Sequence, residues 1–89
     1  MIVAERILEC IGKGQVTVQI YRPVRREADV QCDYKIIFPD RERQFQSFGI
    51  DEFQALKLAL EMLRADLDSS PEAKAGLLRW LSNSDLGFP

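Results

Sequence analysis

The sequence predicts an α+β domain in which a four-stranded antiparallel meander carries two C-terminal helices packed on one face, in the order ββββαα. Three observations predict it. Between residues 3 and 48, apolar and polar residues alternate in four short runs, as they do in strands buried on one face only. The links between the runs are short, which favours antiparallel neighbours. From Gly49 the period changes. Phe53, Leu56, Leu60, Leu63 and Leu67 recur at steps of three and four, with Ala59 on the same side, giving an apolar stripe more than four helical turns long.

The first strand covers 3–11, with Ala4, Leu8 and Cys10 on one face beside Arg6, and Glu5, Ile7 and Glu9 on the other. Gly12-Lys13-Gly14 suits a hairpin loop because glycine tolerates positive φ. The second strand, 15–22, sets Val16, Val18 and Ile20 against Thr17, Gln19 and Tyr21, and Pro23 ends it by removing a ladder donor. Residues 23–30 form a polar surface loop. In the third strand, 31–38, Cys32, Tyr34, Ile36 and Phe38 face the core, and Pro39-Asp40 makes a turn. The fourth, 42–48, points Phe45 and Ser47 inward and Gln44 and Gln46 outward. Phe48 breaks its alternation and marks a bulge or the strand's end.

Asp51 is placed to cap the long helix, with Gln54 three residues later at capping-box spacing. Ser69-Ser70-Pro71 stops this helix and starts another, with Ser70 as N-cap and Pro71 at the first helical position. The second helix is expected to run to about Leu81 with Ala73, Leu77, Trp80 and Leu81 on its apolar face. Gly76 lies in its interior, where it would allow a close approach of the two helices. The expected organisation is a single domain over 1–89, with the sheet in 3–48, a helical pair in 50–82 and a tail in 83–89.

Composition narrows the function classes. Hydrophobic residues make up 46% and charged residues 29%, ordinary values for a soluble globular chain of 89 residues. The net charge of −2 argues against a protein whose main work is gripping phosphate backbones. Residues 1–49 hold eight basic and seven acidic groups; residues 50–89 hold four and seven. Met1–Ile11 carries Glu5, Arg6 and Glu9, so no secretory leader is expected there, and no apolar run reaches the roughly 18 residues of a membrane span. Cys10 and Cys32 form no CxxC and read as buried free thiols in a reducing cytoplasm. Histidine does not occur, which removes the commonest general base and metal ligand. Asp66 and Asp68 point apart on a helix, and Asp51 and Glu52 suit a helix start. No catalytic residue, cofactor site or metal site is therefore expected.

Arginine is the one residue type that gathers. Arg22, Arg25 and Arg26 flank the second loop, while Arg41 and Arg43 lie at the third turn, on the opposite end of a meander. The start of the long helix falls near Arg22, Arg25 and Arg26, so Asp51 and Glu52 are expected to neutralise them. The alternative is an anion site formed by these three arginines and the helix N-terminus.

The start IVAERIL, the strand VTVQIYRP, the segment CDYKI, the junction GIDEFQALKLAL and the late SPE…LLRWL together resemble a family of small bacterial domains of unknown function. That family is marked by a helix start of the GvDalQALqLAl type after four short strands. The resemblance implies the same fold and a bacterial cytoplasmic setting, and it brings no activity, cofactor or catalytic residue. The expected function is a non-enzymatic protein-interaction module, an adaptor or immunity-type protein, whose partner is another protein or a second copy. A homodimer through an edge strand or the outer sheet face is compatible with it. The alternative is a weak nucleic-acid or anion binder using Arg22, Arg25 and Arg26.

Overall fold

The computed structural model describes residues 1–89. In chain order the elements are β1 (Ile2–Cys10), β2 (Gly14–Tyr21), β3 (Val24–Arg25), β4 (Val30–Ile37), β5 (Glu42–Gly49), α1 (Glu52–Asp68), α2 (Pro71–Lys74) and β6 (Leu78–Arg79). The fold is α+β with an antiparallel sheet, but the sheet has six strands where four were expected. The long strands β1, β2, β4 and β5 are the expected meander. Across the sheet the order is β5-β4-β2-β1-β6, and β3 prolongs the line of β2 along β4 past Pro23. The loop expected over 23–30 is thereby reduced to a tight turn, closed by the Arg26 amide donating to the Asp29 carbonyl.

The second correction concerns the end of the chain. The second helix stops at Lys74 instead of reaching Leu81. Gly76 is its terminator: φ is +73°, and the amides of Gly76 and Leu77 donate back to the carbonyls of Ala73 and Glu72. This is the left-handed glycine stop of a Schellman motif, so Gly76 reverses the chain and is not a close-packing point within a helix. Leu77 then leads into β6, whose Leu78 and Arg79 pair with Cys10 and Glu9 of β1. Trp80 and Asn83 close a further two-residue turn in which Leu81 and Ser82 both have positive φ.

Alternation along the strands places side chains as the pattern requires. Leu8, Cys10, Val16, Val18, Ile20, Cys32, Tyr34, Ile36 and Phe38 are all buried on one face. On the other face, uncovered, Gln19 Nε2 donates to Glu5 at 2.7 Å, the Tyr21 hydroxyl donates to Gln19 at 3.3 Å, and Gln31 donates to Asp33 at 2.8 Å. β5 continues without a bulge to Gly49, which puts Phe48 on this open face.

α1 lies over β4 and β5. Asp51 Oδ1 accepts the Gln54 amide at 2.8 Å, and Gln54 Oε1 accepts the Ile50 amide at 2.6 Å, so the helix start is capped from both directions. The buried line is Ala55, Ala59, Leu63 and Leu67, with Leu56 and Leu60 half-buried beside it. Phe53, expected in the core stripe, is 85% exposed. The reason is the close seat of the first turn. A Cβ on Gly49 would fall 2.5 Å from the Ala55 nitrogen, and the Ser47 hydroxyl donates to the Ala55 carbonyl at 2.6 Å. Alanine faces the sheet at that distance, and Phe53 is turned away.

Over β1 and β2 the core is closed by Leu78, Trp80, Leu86 and Phe88 from the end of the chain. Arg6 holds this segment. Its guanidinium lies 3.8 Å from the Trp80 ring centroid and 4.8 Å from that of Phe88, and it donates to the Leu86 and Gly87 carbonyls at 3.1 Å.

Leu63→Ala should cost about 2–5 kcal/mol, whereas Phe53→Ala should stay within about 0.5 kcal/mol of wild type, both read from urea unfolding. Equal losses at the two positions would contradict the placement of α1.

Candidate functional site

The loop arginines singled out by the sequence are exposed, and they are not neutralised as expected. Arg26 Nε lies 3.9 Å from Asp29, and its Nη1 donates to the Gln31 amide oxygen. Arg22 and Arg25 make no ion pair with any carboxylate. Asp51 is spent on the helix cap, and neither it nor Glu52 pairs with these arginines. The register Arg25–Val30–Gly49 sets Arg25 in the row of the sheet that ends where α1 begins.

The arginines at the other end are engaged. Arg41 grips Glu72 through two hydrogen bonds, at 2.8 and 2.9 Å, and its guanidinium lies 3.8 Å from the Phe38 ring centroid. This pair ties the β4–β5 turn to α2. Glu72 is only 4% exposed, and the Arg41 hydrogen bonds outweigh its burial and lower its pKa to about 2. The same contacts raise the Arg41 pKa above its usual value.

A concavity of about 400 Å³ lies between the end of α1, α2 and the tail. Leu67 and Leu78 line it, with Arg64, Asp68, Arg79 and Asp85 among its polar groups. Its cations are turned onto their own chain. Arg64 pairs with Asp68 at 3.6 Å, and Arg79 donates to the Gly76 and Leu78 carbonyls at 2.8 Å. The two cysteines are free and buried. Burial raises both thiol pKa values, with Glu72 adding to the effect at Cys10 and Asp33 at Cys32. That is the environment of an inert structural thiol.

The two long edges of the sheet differ. On the β1 side the edge is closed by several devices: a register shift between Ile2 and Ala4, the inward-pointing charge of Arg6, the tail bound to it, and β6 against Glu9 and Cys10. These are the ways natural sheets block strand addition. On the β5 side there is no register shift, no added strand and no bound tail, and the one inward-facing charge, Arg43, is folded onto Phe45 and Asp66. All eight residues pair with β4 in unbroken register from Gly49–Val30 to Glu42–Ile37. The Phe38 amide donates to the Arg41 carbonyl, which fixes the phase of the ladder. Arg43, Phe45, Ser47 and Gly49 therefore bond toward β4, while the N–H and C=O groups of Glu42, Gln44, Gln46 and Phe48 point to the open side.

A polar and aromatic cluster lines the inner side of this edge. Phe45 is 42% exposed and stacks on Tyr34, with centroids 6.3 Å apart. Tyr34 donates its hydroxyl to Asp66, and Arg43 reaches the same carboxylate at 3.3 Å while lying 4.9 Å from the Phe45 centroid. Burial, then the Asp66 bond and charge, pushes the Tyr34 pKa well above the usual phenol range. Tyr34, Phe45, Met62, Ala65 and Asp66 together form a shallow groove of about 240 Å³ between α1 and the edge.

The family model for a domain of unknown function, DUF6968, matches residues 4–89. The chain belongs to this family. No curated protein and no solved structure matches it.

For this DUF6968 domain, sequence reasoning placed Phe45 on the inner face and Arg43 at the turn. It did not connect them with Tyr34 and Asp66, which lie 32 positions apart in the chain. It also missed the Arg41–Glu72 pair, for which the only signal is an acid in the first turn of a helix.

Removal of one partner from a buried ion pair costs about 3–5 kcal/mol, and Arg41→Ala should fall at the lower end because Arg41 keeps a third of its side chain in water. Glu72 has a folded pKa below its ordinary value of 4.5, so its contribution is full above pH 4.5 and is lost as pH falls toward about 2. Acid unfolding of wild type and Glu72→Gln should show this: the variant starts less stable and loses less over that window. A parallel loss in both would exclude the pair as the source.

Proposed function

We propose that this domain is a non-enzymatic protein-interaction module whose contact surface is the open edge of β5, and that it works as a small adaptor or immunity-type protein in a bacterial cytoplasm. One observation carries the reading. The β1 edge is protected several times over, whereas β5 offers four residues of outward backbone donors and acceptors beside a half-covered aromatic ring. Strand addition at such an edge supplies affinity through main-chain hydrogen bonds and selectivity through alternate side chains. Phe48 on the open face, and Ile50 and Phe53 after it, are exposed as well. Two buried free thiols suit a reducing compartment. The occupant is an extended segment of another protein or of a second copy.

Tagged domain used as bait in lysate of its native organism should recover one stoichiometric species, either a distinct protein or untagged copies of itself. Gln46→Pro should abolish recovery, because proline removes an amide that faces outward while leaving the bonds to β4. Recovery unaffected by this substitution, or none from wild type, would sink the reading.

A second reading rests on Arg22 and Arg25, exposed and without carboxylate partners at the α1 end of the sheet. They would make the domain a weak nucleic-acid or anion binder. Retention on heparin that falls steeply with salt and is lost in Arg22→Ala/Arg25→Ala would favour this reading; elution at the lowest salt would exclude it.

A further inference from the structure

We infer that the segment completing the β5 edge is β5 of a second copy, in an antiparallel pair whose two-fold axis passes through Phe45. The inference rests on the reading of this edge as the contact surface and names its occupant.

The phase of the ladder narrows the registers, and centring on Phe45 alone brings all four outward positions into the pair. Only Glu42, Gln44, Gln46 and Phe48 direct backbone groups outward, so a two-fold pair must match these positions with one another. Centring on Phe45 pairs Gln44 with Gln46 of the second copy twice and Glu42 with Phe48 twice. No like charges are opposed, and the glutamines can bond across the strands. Phe45 then meets its own copy at a site without backbone hydrogen bonds, where the Cα atoms come closest, at about 4.5 Å. Each Phe45 already stacks on Tyr34, so the pairing makes an aromatic row of four rings across four strands.

The helix layer fits the same axis. α1 lies over β4 and β5, so two copies joined at β5 with strands about 4.8 Å apart bring their α1 axes to roughly 10 Å, the usual distance for packed helices. Asp66 of α1 reaches both Tyr34 and Arg43, so Met62 and Ala65 stand level with Phe45. They face each other across the axis, and the shallow groove of about 240 Å³ beside them receives the second Phe45 ring. The product is a continuous sheet whose remaining edges are both of the protected β1 kind.

Sedimentation equilibrium across the micromolar range, with far-UV circular dichroism on the same samples, tests the inference. Wild type should sediment at twice the chain mass, and Gln46→Pro at the chain mass with an unchanged spectrum. Should the proline variant unfold, Phe45→Cys takes its place. Under added oxidant it should form a covalent dimer, and Gln44→Cys, whose partner position is 46, should form little. Monomeric wild type overturns the inference, as does a disulfide dimer formed equally by both cysteine variants or a folded Gln46→Pro dimer. If wild type is monomeric but lysate capture still depends on Gln46, the edge binds another protein and only the self-pairing falls. If capture also fails, the edge reading falls with it.

Discussion

The seat of α1 on the end of β5 constrains the rest of the structure. Gly49 leaves no room for a side chain against the Ala55 backbone, and Ser47 bonds the first turn of the helix at the Ala55 carbonyl. The chain therefore turns back at once, and α1 must run over the two strands it has just left. Small residues at 55 and 59 let it lie close, and Leu63 and Leu67 fill the wider space farther along. One helix cannot also cover β1 and β2. That half of the core depends on the end of the chain, held by Arg6 between Trp80 and Phe88.

The difference between the two edges follows from this arrangement. The polypeptide that finishes the core passes along β1, so β1 acquires β6, the tail and an engaged inward charge. Nothing is left to pass along β5. Its own hairpin and helix satisfy one side, and the other side is open from Glu42 to Phe48. Charge is used sparingly there. Arg43 folds back over Phe45 toward Asp66 instead of standing out as a deterrent to pairing. Arg41, two residues before it, is committed to Glu72, which ties the β4–β5 turn to α2.

Much of this was legible in the sequence. Alternation gave the four long strands, both of their faces and the polar outer surface, because a period of two leaves little freedom once one face is buried. The capped start of α1 was equally clear from Asp51 and Gln54. The stripe was misread at its first position only: Phe53 has the right spacing, but the close seat at Gly49 demands the alanine at 55, a distance that spacing does not encode. The end of the chain was misread because Gly76 lies within a run of helix-forming residues, and its left-handed conformation decides the matter only together with the returning amides of Gly76 and Leu77. At the candidate site each residue was visible, but the contacts Tyr34–Asp66, Arg43–Asp66 and Arg41–Glu72 span 23 to 32 positions and depend on where α1 and α2 come to rest. The arginines at 22, 25 and 26 showed the reverse. Their clustering was plain, and the acids expected to neutralise them are occupied elsewhere or point to solvent.

The contrast between amides along β5 tests the central claim most directly. Hydrogen exchange of native protein should find Phe45 and Ser47 protected at every concentration, since they bond to β4. The amides of Gln44 and Gln46 should exchange freely in dilute protein and become protected as concentration rises. Fast exchange at Gln44 and Gln46 under all conditions, with or without candidate partners, would contradict an edge that is built to be paired.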